Sequence, residues 1–209
     1  TLLLNNDGSY TYTRTANLNA ITARVVETFT YQVTDAAGNS TQSTLTINLD
    51  PANDAPVLAD TNLSMPAVLK GATVPVNGSA VGALVSSLVG GITDADAAPL
   101  TGIAITGVSS GGKLYYSLNN GDNWLPFTDF SNDRALGLLS DSDNRIYFVP
   151  ASTDTGTVTD ALTMRAWDRS GGAPEGAITL FAGATSYSLA TDTISQKVVE
   201  PVTINAVST

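Results

Sequence analysis

Thr28-Phe29-Thr30-Tyr31-Gln32-Val33-Thr34, then Asp35-Ala36-Ala37-Gly38-Asn39, then Ser43-Thr44-Leu45-Thr46-Ile47-Asn48-Leu49 is the stretch that decides the fold. Large apolar and small polar residues alternate on both sides of a turn. A period of two belongs to a strand with one buried face. It places Phe29, Tyr31 and Val33 together on the first strand, and Leu45, Ile47 and Leu49 together on the second. Asp, Gly and Asn between them are turn formers, each for its own steric or hydrogen-bonding reason. The stretch reads as an antiparallel hairpin.

The same pattern lies on the N-terminal side. Leu2-Leu3-Leu4 and the alternating Ser9-Tyr10-Thr11-Tyr12-Thr13 flank Asn6-Asp7-Gly8, a strong hairpin signal. Residues 1–50 therefore hold about four strands, whereas a β-sandwich usually has about seven in ~100 residues. They read as the C-terminal half of a sandwich. The other strands are expected upstream, in another chain or beyond a large insertion, so that the domain is either split or truncated. Asp50-Pro51-Ala52-Asn53-Asp54-Ala55-Pro56 then breaks the pattern. Its two prolines forbid regular pairing and stiffen the backbone, so residues 51–56 read as an extended linker.

Residues 57–209 read as a second, complete sandwich. A weak strand region spans 57–76. Val81, Leu84, Val85 and Leu88 fall at helical spacing, so 79–89 is predicted as a short helical patch bounded by Gly82 and Gly90-Gly91. Strands are predicted at 100–108, 113–117, 124–127, 135–139, 145–149, 161–167, 177–181 and 194–207. Turns at Asn119-Asn120-Gly121-Asp122 and Asp141-Ser142-Asp143-Asn144 separate two of the pairs. The closing Val202-Thr203-Ile204-Asn205-Ala206-Val207 repeats the manner of Leu45-Thr46-Ile47-Asn48-Leu49, which hints at tandem domains. The predicted class is all-β: tandem β-sandwiches, the first incomplete and the second with one short helical turn, which resemble cadherin-like or immunoglobulin-like domains.

Composition narrows the chemistry. Of 209 residues, 43% are hydrophobic, enough for a packed core, and only 13% are charged. The formal net charge is -10, from 9 Lys and Arg against 19 Asp and Glu. Such a chain repels phosphate backbones, so no nucleic-acid partner is expected. There is no Cys and no His. Disulfides, thiolate zinc sites, imidazole ligands and the commonest general base are all excluded. Oxygen ligands remain, and these favour Ca2+ or Mg2+. No signal peptide and no apolar run long enough to cross a bilayer is found, so direct membrane insertion is not expected.

Two resemblances follow from these residues. Leu2 through Tyr12, with Phe29-Thr30-Tyr31-Gln32-Val33-Thr34-Asp35, resembles the C-terminal half of a VCBS-type, cadherin-like repeat. Gly91-Ile92-Thr93-Asp94-Ala95-Asp96, Gly102-Ile103-Ala104-Ile105-Thr106, residues 114–124, Arg145-Ile146-Tyr147-Phe148-Val149-Pro150 and residues 162–168 resemble a sandwich repeat of giant bacterial RTX adhesins. The resemblance implies type I secretion, a secreted or cell-surface location, neighbouring adhesin domains as partners, and a role in adhesion and biofilm formation. It also implies a calcium site. Asn53-Asp54 resembles the cadherin linker motif, Asp94-Ala95-Asp96 the cadherin Asp-x-Asp motif, and Asp168, after Arg165-Ala166-Trp167, the third cadherin-like ligand. Carried over, Asp54, Asp94, Asp96 and Asp168 meet at one end of the second segment, with Asn53 and then Asp50 as further ligands. Asp35 stands in the first segment where Asp168 stands in the second, and would serve a preceding junction. Asp7, Asp141 and Asp143 are explained more simply as turn residues.

Electrostatics argues for calcium separately. Several carboxylates at one end repel one another, and a bound cation reverses that term and adds stability by mass action. Ser117-Leu118-Asn119-Asn120-Gly121-Asp122-Asn123-Trp124 resembles an Asp-box hairpin with Asn119 in the Asp place, which makes Trp124 a packing residue; Trp167 is read likewise. The expected function is a calcium-rigidified extender of an adhesin, with no enzymatic activity. The alternative is a calcium-dependent module that binds a cell-surface peptide or glycan, for which loops 129–133 and 171–176 are the candidates. Paired carboxylates could act on a glycoside, but no such constellation stands out.

Overall fold

The computed structural model describes residues 1–14, 21, 24–96, 99–131, 133–180 and 184–202. It divides into two compact units, Thr1–Asn53 and Asp54–Thr209. Both are all-β.

In the first unit, β1 (Leu2–Leu4) and β2 (Tyr10–Tyr12) pair antiparallel, with Leu4 opposite Tyr10. Strands β3 (Val25–Thr34) and β4 (Ser40–Leu49) pair over ten residues each, from Val25 opposite Leu49 to Thr34 opposite Ser40. The alternation has the predicted sense: Phe29, Tyr31, Leu45 and Ile47 are half-buried, Leu49 is buried, and their neighbours in sequence are mostly exposed. Val33, expected on the same face, is 54% exposed because it lies by the turn, beyond the covered part of the ladder. Tyr12 meets Phe29 edge-on at 6.2 Å, which links the two hairpins.

The second unit is a sandwich. Its short strands β5 (Val57–Leu58) and β8 (Ile92–Thr93) pair antiparallel at one end. The larger sheet has six strands: β6 (Leu63–Leu69), β9 (Gly102–Val108), β12 (Arg134–Leu139), β14 (Gly156–Trp167), β15 (Gly176–Thr179) and β16 (Asp192–Val199). Their order is β15-β12-β9-β14-β16-β6. All its pairings are antiparallel except β16 with β6, which run parallel from Ile194 opposite Leu63 to Val199 opposite Leu69. The smaller sheet combines β7 (Ala83–Leu84), β10 (Lys113–Ser117), β11 (Leu125–Phe127) and β13 (Arg145–Val149) in the order β11-β10-β13-β7.

Apolar side chains from both sheets fill the space between them. Ile103, Ile105, Leu136, Leu138, Leu162, Met164 and Ile194 come from the larger sheet; Leu114, Phe127, Ile146 and Phe148 come from the smaller. Their alternate neighbours Ala104, Ala135 and Trp167 form a second cluster with Ile178 and Tyr187. The larger sheet is thus buried on both faces, which explains why β9 and β12 read as continuous apolar runs.

Two sequence expectations are corrected. The helical patch at 79–89 is a single 3-10 turn, Val85–Ser87. Gly82 has φ +72°, and Ala83–Leu84 pairs with Ile146 and Arg145 instead of coiling, so burial came from a strand and a turn. The strand predicted to run on from 194 ends at Val199, since Pro201 follows and cannot donate to a ladder, and residues 200–202 belong to no strand. Residues 203–207 of that expected strand, with the repeated ending read there, lie outside the described residues, as does residue 181 of the predicted strand 177–181. The Asp141–Asn144 turn also has an unexpected role: it carries the chain from one sheet to the other, because β12 and β13 belong to different sheets.

Candidate metal centre

Pairing of β5 with β8 brings the chain around Asp54 beside the loop that follows Thr93. Asp94 and Asp96 occupy that loop, and Asp168 directly follows β14. One carboxylate oxygen from each of Asp94, Asp96 and Asp168 lies within 4.8 Å of the other two. Local bonds orient them. The Asp96 N–H donates to Asp94 Oδ1 at 3.0 Å, and the Ser170 N–H to Asp168 Oδ1 at 2.7 Å. The Asp54 N–H donates to Asp96 Oδ2 at 3.2 Å. Asp168 is itself buried, its N–H bonded to the Ser186 carbonyl.

The cluster is electrostatically strained. Burial pushes the Asp94 carboxyl above its ordinary value; the Asp96 N–H opposes this, and the negative charges of Asp96 and Asp168 add to it. Asp94 Oδ2 is buried and has no hydrogen-bond partner. A buried carboxylate oxygen without a donor is costly unless a cation or a proton satisfies it. The donor set is all oxygen, as Ca2+ requires.

The other named residues have different surroundings. Asp50 pairs with Arg24 at 2.5 Å in the first unit, where both side chains are exposed. Asp35 closes the β3–β4 turn: its Oδ1 accepts from the Ala37 and Asn39 N–H groups, and its Oδ2 from Asn39 Nδ2. Asn53 is the last residue of the first unit, and Asp54 the first of the second. Asp7 and Asp141 likewise accept N–H bonds within their own turns.

Ser117 Oγ donates to Asn119 Oδ1 at 2.9 Å and accepts from the Gly121 N–H at 2.8 Å, while Asn119 Oδ1 accepts from the Asn123 N–H. These bonds tie the Asp-box-like hairpin. Trp124 is buried against Tyr147, with ring centroids 6.1 Å apart, and donates from Nε1 to the Ser79 carbonyl. Trp167 is 1% exposed. Both tryptophans pack, and neither offers a face to a sugar.

The 129–133 loop is held by its own contacts, with Asp129 paired to Arg134 at 2.7 Å and Ser131 Oγ bonded to Asp133. A groove missed in the sequence opens instead between β6 and the β7–β13 edge. It has a volume of about 550 Å³ and is lined by Met65, Leu69, Val81, Ile146, Tyr147 and Phe148, among others.

Residues 1–48 match the family model described as Bacterial Ig domain. Domains of this kind are usually found on extracellular or surface proteins and are typically non-catalytic. The match supports a bacterial Ig-like surface-protein domain for the first unit, and a structural module as its role. No curated protein and no solved structure matches the chain. Among the described residues, no helix is long and apolar enough to cross a membrane.

Proposed function

We propose that this chain is a calcium-rigidified structural module of a large secreted or cell-surface bacterial adhesin, acting as an extender in cell adhesion and biofilm formation. In this reading residues 1–50 are the C-terminal half of a VCBS-type, cadherin-like sandwich, 51–56 the linker, and 57–209 an RTX-adhesin sandwich exported by type I secretion. Its partners are neighbouring adhesin domains.

The observation that carries the reading is the convergence of Asp94, Asp96 and Asp168 around a buried oxygen with no donor. A bound Ca2+ would offset two of the three negative charges and give Asp94 Oδ2 the partner it lacks. Asp54 is tied to Asp96 through its N–H, so an ion held by Asp96 pins the chain where it enters the second unit. Asp54 and Asn53 supply further oxygens in this reading, Asp50 a weaker one, and Asp35 the corresponding group for a preceding junction.

Differential scanning calorimetry in saturating Ca2+ and in EDTA tests it. Calcium at a hundred times its Kd should stabilise the second unit by about 2.7 kcal/mol. Asp94→Asn should abolish most of that shift. A melting curve that EDTA leaves unchanged would end the calcium reading.

The groove favours a second reading, a module that binds an extended apolar peptide beside β6. Peptide-array binding, saturable and lost in Leu69→Asp, would support it; no binding would leave the extender role alone.

A further inference from the structure

Among the described residues, β4 has a neighbour on one side only. Its sheet consists of β3 and β4, and the register runs without a bulge from Val25 opposite Leu49 to Thr34 opposite Ser40. Such a sheet needs three or more strands over an apolar face to be stable by itself. The first unit also lacks a core. Leu49 is its one buried residue among those described, and neither core cluster reaches into it. Phe29, Tyr31, Leu45 and Ile47 share a face that is only half-covered.

The open edge has a definite hydrogen-bonding pattern. The Asp35 N–H donates to the Asn39 carbonyl at 2.9 Å, so these two residues form a bonded pair. Bonded pairs recur at every second residue of an antiparallel ladder. Thr41, Ser43, Leu45 and Ile47 therefore bond to β3, while Gln42, Thr44, Thr46 and Asn48 aim their N–H and C=O groups outward. Edge strands are usually blunted by charge, proline or a bulge. The edge strand β6 of the second unit has Pro66 and a shifted register. The ten residues of β4, Ser40-Thr41-Gln42-Ser43-Thr44-Leu45-Thr46-Ile47-Asn48-Leu49, have none of these devices.

The occupant that fits is an extended, uncharged strand, and β4 itself has that composition. Laid antiparallel on its own copy about a two-fold axis at Leu45, it sets Thr44 opposite the partner's Thr46 and Gln42 opposite the partner's Asn48. Outward-facing residues then pair only with outward-facing residues, as a ladder requires. Threonine pairs across strands are favourable, and Leu45 meets its own copy on the apolar face. Strand β3 fits less well, since Glu27 puts a charge on that face. Long-range repulsion is small here. Residues 1–53 hold Arg14 and Arg24 against Asp7, Glu27, Asp35 and Asp50, a net charge of 2 − 4 = −2 out of −10.

We infer that the outer edge of β4 is an interface for a second copy of this chain, which joins two hairpins into a four-stranded sheet with a continuous apolar face. The interface uses no metal and is independent of the Asp94, Asp96 and Asp168 cluster.

Sedimentation equilibrium on the full 209-residue chain tests this. The chain should form a dimer at high micromolar concentration and dissociate on dilution. Thr46→Pro removes an outward N–H and no bond to β3, and should give a monomer. Two further chains fix the mode of pairing. Thr44→Lys with Thr46→Lys sets like charges opposite one another twice, and should weaken the dimer by about tenfold or more. Thr44→Lys with Thr46→Glu sets opposite charges at the same places and should retain it. Thr44 and Thr46 are exposed, so each copy keeps its fold. The inference is overturned if the unsubstituted chain is monomeric throughout, if Thr46→Pro leaves the dimer intact, or if the two charged pairs dimerise equally.

Discussion

Asp35 and Asp94 are both aspartates in loops after strands, and their surroundings push them in opposite directions. The Asn39 side chain and then its N–H hold the Asp35 carboxyl below the ordinary value of 3.8. A lowered folded-state value means that ionised Asp35 favours the fold. That contribution is complete above the ordinary value and is lost as pH falls through the folded one. Asp35→Asn should therefore remove part of the acid sensitivity of the first unit below about pH 4. Acid unfolding followed by NMR at the Ala37 and Asn39 amides measures this, and identical acid curves for both chains would refute it. Turn aspartates such as Asp7 and Asp35 are legible in sequence because their bonds reach only two to four residues along the chain. Asp94 and Asp96 are tied locally by the Asp96 N–H, but their convergence with Asp168 was legible only through resemblance, since no local bond reaches from that loop to the end of β14. The contacts of Glu175 were not legible at all: its Oε1 accepts from the Leu139 N–H and from Asn144 Nδ2, 36 and 31 residues away, and a lone Glu in a Gly-rich loop carries no signature.

At the level of elements, the hairpins followed from their turn chemistry, while the failed helix shows where periodicity misleads. Val81, Leu84, Val85 and Leu88 fit a helical stripe, but Gly82 lies against the neighbouring strand. A Cβ there would sit 2.1 Å from the Ile146 carbonyl oxygen, and φ is already +72°. Gly82→Ala is expected to cost about 2–3 kcal/mol, through both clash and backbone strain. Gly78→Ala, also at positive φ but with nothing within 4 Å, should cost only about 1–2 kcal/mol. Urea unfolding midpoints compare the two, and equal losses would mean that the close approach to β13 is unimportant. The crossing at Asp141–Asn144 was illegible for a related reason. Hairpin turns and sheet-to-sheet crossings use the same residues, and only the destination of the next strand separates them.

On the scale of the sandwich, the number and rough position of strands were readable, but their arrangement was not, because sheet order rests on pairings far apart in sequence. The β16–β6 pairing joins residues about 130 apart, and Gln196 Nε2 reinforces it by donating to the Pro66 carbonyl at 2.6 Å. Since the edge strand β6 and its neighbour β16 run parallel, tension applied to the two ends of the unit pulls them along their length in opposite senses. The backbone bonds from Leu63 to Leu69 are then loaded side by side and must rupture together, instead of opening one after another as a zipper does. Single-molecule stretching by the unit's ends should need a higher force than stretching by handles at Leu69 and Val199, which peels the same strands from one end. Equal rupture forces would show that some other contact bears the load.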